Sequence, residues 1–243
     1  PALWKNSLAK FSNRPALSFV NGTPFTYQQI NDKIIQVSSM LQSLGIKKGD
    51  RVSIFSTSMP NWGASYFGIV NLGAIAVPLL PDFSTIEVQS ILNHAQVSVM
   101  FVAEKLWNKI KDLPESVLPI VIKLDDFTFL RGEPENFEIK DSSNFEQVEI
   151  SEEDTASIIY TSGTTGRSKG VELSHKNLVW TALQCQTVHR VNQRDRCLSF
   201  LPLSHVYEFT IGFVLIVLNG AAIYYLERPP TVSSLLPAFK KIR

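Results

Sequence analysis

Cysteine is scarce in this sequence. The two present, Cys185 and Cys197, fit neither a metal-ligand spacing nor a disulfide framework. Both are expected to be reduced thiols in or near the core of a cytoplasmic protein, with a disulfide between them the lesser alternative. An excess of either charge is also missing. Lys and Arg number 23 against 22 Asp and Glu, a net charge of +1. Bulk electrostatics therefore gives no reason to expect nucleic acid or an anionic membrane as a partner. Peripheral membrane contact stays open, and nothing in the sequence sets the oligomeric state. The opening PALWKNSLAK lacks the continuous apolar core of a signal peptide. There is no internal repeat and no low-complexity tract. One apolar run, Phe209–Leu226, approaches the length of a membrane span. Asn219-Gly220 interrupts it with a turn signal, so a buried helix to Leu218 followed by the strand AAIYYL is expected instead.

What is present is an ordinary folding composition, 44% apolar and 19% charged. At ~150 residues per domain, the length suits one large or two small domains. Leu3–Phe11 reads as a helix. ALSFV, the turn Asn21-Gly22-Thr23-Pro24 and FTY read as a hairpin. Thr26 can cap a helix whose apolar positions Ile30, Ile34, Val37, Leu41 and Leu44 recur at helical spacing, and Gly45 stops it. Strands RVSIFS, AIAVPL, VSVMFV and PIVIKL then alternate with helices near Asn61–Leu72, Thr85–Ala95 and Glu104–Lys111. This alternation predicts an α/β fold, a doubly wound, mostly parallel sheet flanked by helices. The pattern breaks from Arg131 to Asp154, an acidic polar stretch expected to be a solvated loop or connector. It divides the chain into a first α/β region, 1–130, the connector, 131–154, and a third region, 155–243. The third region holds the strand TASIIYT, the strand VELS, a helix near Lys176–His189 and the strand RCLSFL.

Between TASIIYT and VELS lies the run Tyr160–Gly170, YTSGTTGRSKG. Gly163, Gly166 and Gly170 let the backbone bend and approach a ligand closely. Consecutive N–H groups in such a turn form an anion-binding nest. Thr161, Ser162, Thr164, Thr165 and Ser168 add hydroxyls, and Lys169 adds a cation. Together these suit a polyphosphate, more so than a flexible linker. The Walker pattern fails, because a start at Gly163 would need glycine where Ser168 stands. No G-x-G-x-x-G follows the first strand, so a dinucleotide site is unsupported.

YTSGTTGRSKG resembles the phosphate-loop signature of the adenylate-forming (AMP-binding) superfamily, which includes acyl-CoA synthetases, luciferase-like enzymes and peptide-synthetase adenylation domains. LPLSHVYE, Leu201–Glu208, is similar to a segment of long-chain fatty-acyl-CoA synthetases. GIKKGDRVSIFSTSMPNW and LGAIAVPL resemble the family's N-terminal portion, so the resemblance covers nearly the whole chain. It implies the N-terminal part of the large adenylate-forming domain, and a ligase whose substrates are a fatty acid, ATP and CoA, with Mg2+. Thr161, Ser162, Gly163, Thr164, Thr165, Gly166, Lys169 and Gly170 would cradle the phosphates, and Thr161 is a candidate magnesium ligand. His205 would lie near the carboxylate and the acyl-adenylate; the bland alternative is that it caps the apolar helix, as Ser204 also could. Tyr207, Phe209 and Phe213 could line an acyl tunnel, or pack as core. Glu208 is expected to make a structural hydrogen bond, with a place in the site as the alternative. His94, His175 and His189 are expected to be surface or structural residues.

Two other readings compete. Gly166-Arg167-Ser168-Lys169-Gly170 matches G-x-S-x-G, with Asp195 and His205 following in the order of a hydrolase triad. That elbow needs a helix directly after the serine, whereas VEL reads as strand. The chain could also bind nucleotide and catalyse nothing. The family's acidic magnesium segment, its ribose-binding segment and the small C-terminal domain with its catalytic lysine are not found here. The sequence is therefore expected to be a piece of a longer enzyme, inactive by itself.

Overall fold

A computed structural model describes residues 1–139, 148–161 and 169–243. Five helices and seven strands occupy the first stretch: α1 (Ala2–Phe11), β1 (Pro15–Phe19), β2 (Phe25–Thr26), α2 (Tyr27–Ser43), β3 (Arg51–Phe55), α3 (Pro60–Asn71), β4 (Ile75–Leu79), α4 (Thr85–Ala95), β5 (Val97–Val102), α5 (Glu104–Ile110), β6 (Ile120–Lys123) and β7 (Phe129–Arg131). After the connector come β8 (Thr155–Thr161), β9 (Lys169–Ser174), α6 (His175–His189), β10 (Arg196–Ser199), a π-helical segment (Glu208–Val214), α7 (Leu215–Leu218), β11 (Ala222–Tyr225) and α8 (Val232–Ile242).

Local chemistry sets the helix starts. Thr26 Oγ1 accepts from the Gln29 N–H while Gln29 Oε1 accepts from the Thr26 N–H, a capping box that opens α2. Ser84 with Glu87 opens α4 in the same way, and Ser174 with Asn177 opens α6. Each such cap contributes about 1 kcal/mol.

The strands form two sheets. One has seven strands in the order β7-β6-β5-β3-β4-β8-β9, parallel from β6 to β8 with an antiparallel strand at each edge. The other has four, β10-β11-β1-β2, parallel except for β2. Both sheets draw strands from either side of the acidic connector. Alternation along the strands builds the layers. Val52, Ile54, Val99, Phe101 and Ile122 face α2 and α3. Phe55, Val77, Leu79, Met100 and Val102 face α4 and α5. α3 packs on β3 and β4 of the large sheet and also on β1 of the small one. The central helical layer is therefore shared, and α8 covers the far face of the small sheet through Ala238 and Ile242 against Leu198.

The described residues of the connector are mostly exposed, with a few local tethers. Phe137 packs edge-on against Phe129 at 5.0 Å, and Asp154 and Glu153 pair with Lys48 (2.6 Å) and Lys176 (2.5 Å). Two expectations need correction. The second strand of the loop region begins at Lys169 rather than Val171, because Lys169 and Gly170 pair with Thr161 and Tyr160. The apolar run does break at Asn219-Gly220, but its first half is a π-helix that continues into a short α-helix. Among the described residues no helix is long and apolar enough to cross a membrane. Both cysteines are free.

Candidate nucleotide and acid site

The glycine-rich run is the connection of a β-hairpin. Thr161 and Lys169 are cross-strand partners at its root, followed by Tyr160 and Gly170. Thr161, Lys169 and Gly170 are exposed, so a hydroxyl and an ammonium stand together where the hairpin opens. Ser162, Gly163, Thr164, Thr165, Gly166 and Ser168 lie outside the described residues.

Both faces of β8 are gripped. On one, the Ser157 and Tyr66 hydroxyls share a buried hydrogen bond of 2.9 Å, tying the strand to α3. On the other, the Tyr160 hydroxyl meets His94 Nδ1 at 2.7 Å, tying it to the last turn of α4. His94 is thus structural, as expected, but its partner belongs to the signature itself. A side chain at position 170 would bring Cβ within 2.8 Å of Ile158 Cγ2 and 3.2 Å of the Tyr160 ring, so glycine there lets the aromatic lie across the partner strand.

His205 sits in the segment between β10 and the π-helix. The Leu203 N–H donates to Ser58 Oγ (3.0 Å), and the His205 N–H donates to the Pro202 carbonyl (2.9 Å). His205 Nδ1 accepts from the Tyr207 N–H at 3.3 Å. This is the capping contact of the bland reading, and it leaves a second function free. With Nδ1 occupied as acceptor, the neutral ring carries its proton on Nε2. Ser204 does not share the capping: its hydroxyl is buried without a partner.

In the same segment as the exposed His205 lie Phe200, Leu201, Val206 and Tyr207, each more than a third exposed. The first three escaped sequence reasoning; Leu201 and Val206 were signalled only by membership of the LPLSHVYE block, and Phe200 directly precedes it. Phe209 and Phe213 lie elsewhere, buried against α3. Phe209 is 4.5 Å from the Tyr66 ring and 5.7 Å from Trp62, and Phe213 covers Gly63. Tyr66 therefore touches both parts of the candidate site, through its hydroxyl to β8 and its ring to the π-segment. Phe200, Leu201 and Ser199 also wall a cleft of about 700 Å3 at the carboxyl ends of β10, β11 and β3. This is the end of a parallel sheet at which ligands bind.

Glu208 points inward. Its carboxyl accepts from Ser199 Oγ at 2.6 Å, and burial raises it above the ordinary carboxylate range despite that bond. The folded protein therefore keeps a proton that the unfolded chain has lost. Stability from this source is full at acid pH and drains away as pH rises through the raised value. Replacing Glu208 by Gln should remove the dependence. The variant's melting temperature should gain on the wild type as pH rises above the ordinary carboxylate range. A difference that stays constant as pH rises would count against the buried acid.

The serine-elbow reading does not match this geometry. Lys169, directly after Ser168, begins a strand rather than a helix. Asp195 accepts from the N–H and side-chain amide of Asn192, closing its own turn.

A family model described as "AMP-binding enzyme" matches residues 4–243. A CoA ligase of Rhodococcus jostii, named for an indene-propanoyl substrate, is 27% identical over 92% of this chain and 46% of its own length. A long-chain-fatty-acid–CoA ligase (ACSBG2) of Rattus norvegicus is 30% identical over the whole chain and 40% of its own length. The chain thus spans less than half of either relative. Among solved structures, the fatty acyl CoA synthetase of Mycobacterium tuberculosis superposes with a TM-score of 0.81 at 22% identity, covering 98% of this chain and 46% of that one, a likeness of fold. With the hairpin, the two sheets and a match over nearly every residue in agreement, the chain belongs to the AMP-binding enzyme family.

Proposed function

We propose that the chain is the N-terminal portion of an ATP-dependent ligase that joins a long-chain fatty acid to CoA. The observation that carries this reading is the pairing of Thr161 with Lys169, which brings a hydroxyl and a cation to the mouth of a Gly/Ser/Thr connection. The acid carboxylate attacks the ATP α-phosphorus, the bond to the β-phosphate oxygen breaks, and pyrophosphate leaves. The CoA thiol then attacks the acyl carbon, and AMP leaves. Both ATP and carboxylate are anionic, so the protein's task is positioning and charge neutralisation. Lys169 serves the pyrophosphate side. Thr161 would offer its hydroxyl to a magnesium ion, whose charge would help to neutralise the phosphates. His205 Nε2–H donates to the acid. The exposed apolar side chains Phe200, Leu201, Val206 and Tyr207 of the same segment support a fatty acid as substrate, and so does the name of the rat relative.

The reading predicts ATP–pyrophosphate exchange by the complete enzyme when a long-chain fatty acid is added. The 243-residue chain alone should exchange nothing, since the family's adenine and ribose contacts are not found in it. Robust exchange by this chain would overturn the second statement. In the complete enzyme Lys169→Ala should raise the KM for ATP about tenfold, the worth of one hydrogen bond to a charged group. An unchanged KM would refute the phosphate role.

A further inference from the structure

We propose that Glu208 is the positioning residue for His205, holding the Phe200–Tyr207 segment in place through Ser199. The proposal rests on the reading of His205 as the group that meets the acid substrate. Ser199 is the last residue of β10 and Glu208 the first of the π-helix, so their 2.6 Å hydrogen bond ties together the two ends of the segment that carries the imidazole. Ser199 is wholly buried and Glu208 is 7% exposed, so water offers this bond little competition. The middle of the segment is held separately by Ser58, which donates to the Leu201 carbonyl and accepts from the Leu203 N–H. A space is reserved for the acid. At Gly212 a Cβ would lie 2.7 Å from Glu208 Cδ and Oε1, so any side chain there would push the carboxyl off Ser199. The titratable neighbours are the Cys197 thiol and the Tyr225 hydroxyl, both held mainly in their neutral forms by burial. Neither brings a cation to compensate a buried carboxyl.

An apolar residue would fill this space at lower cost, because burying an acid without a cation is unfavourable. What an apolar residue cannot do is accept from Ser199 and so close the segment. The inward direction of the carboxyl also separates this role from substrate contact. Glu208 acts through His205 rather than on the reacting atoms.

The test is a set of variants of the complete enzyme. Glu208→Ala should lower kcat for acyl-adenylate formation by about 10–100-fold, the penalty of an imidazole displaced by a fraction of an ångström to an ångström. The KM for ATP should stay within about twofold of the wild type. Glu208→Gln keeps an oxygen acceptor opposite Ser199 and should restore the rate to within about threefold. Ser199→Ala breaks the same bond from the other end and serves if Glu208→Ala does not fold. The deciding measurement is made in a His205→Ala background, where adding Glu208→Ala should cost nothing more. A full, multiplicative loss in that background overturns the proposal, as does a Gln variant as damaged as the Ala variant. A His205→Ala enzyme with an unchanged rate overturns the reading of the histidine itself and this proposal with it.

Discussion

In the complete enzyme, His205→Ala should slow acyl-adenylate formation on the order of 10²–10³-fold, the cost of deleting one donor aimed at developing charge. The KM for ATP should move less than about threefold, because the proposed role places the histidine at the acid rather than at the phosphates. The prediction follows from the two ring nitrogens having different tasks. Nδ1 is engaged with the Tyr207 N–H, so only Nε2 is left for a substrate. His205→Asn separates the tasks. An asparagine side chain can still accept from the Tyr207 N–H and cap the helix, but its amide cannot reach where Nε2 reached. The Asn variant should therefore fold like the wild type and be nearly as slow as the Ala variant. Full activity in Asn would reduce His205 to a helix cap.

The second large effect is on stability. Trp62→Ala should cost about 3–5 kcal/mol, the usual range for emptying a large aromatic site. Trp62 is wholly buried, stacks on Tyr66 at 5.6 Å with the rings 1° apart, and meets Phe209 at 5.7 Å and Phe213 at 6.1 Å. Three aromatic rings from α3 and the π-segment thus lose their common neighbour, and rigid rings collapse poorly into a void. At ~2–4 °C per kcal/mol for a chain of this size, the melting temperature should fall by roughly 6–20 °C. A fall of less than about 3 °C would show that the cluster repacks. Trp62→Phe, which keeps a ring in the site, should cost less than half as much.

Much of the scaffold could be read in advance because its signals are local. The Thr26–Gln29 box, the Ser84–Glu87 box and the four β-branched strands each announce themselves within a few residues. The π-helix could not be read that way. Its bonds reach five residues instead of four, a pattern that leaves no distinct hydrophobic period, and Phe209 and Phe213 look the same whether they line a tunnel or a core. The second sheet partner of β1 was hidden as well, since nothing near residue 15 indicates a strand at residue 222. In the site, the proposals for the phosphate run and His205 come from motif and resemblance. The roles of Ser199, Tyr66 and His94 were not legible, because each depends on a partner far along the chain or on a turn whose shape the sequence does not reveal.

The pairing of β1 with β11 also has a consequence on the ribosome. Leu17, Ser18 and Phe19 dock beside Ile223, Tyr224 and Tyr225, so β1 is made long before its neighbour exists. At ~5–20 residues per second, roughly two hundred intervening residues take on the order of 10–40 s to synthesise. Through that interval β1 has only the two residues of β2 beside it, and its other edge is open to any strand it meets. The seven-stranded sheet faces a shorter wait, because β3 to β6 lie within a single stretch of the chain. Folding during synthesis should thus begin in the large sheet and finish with the small one, and the late segment that completes it is the one that carries His205.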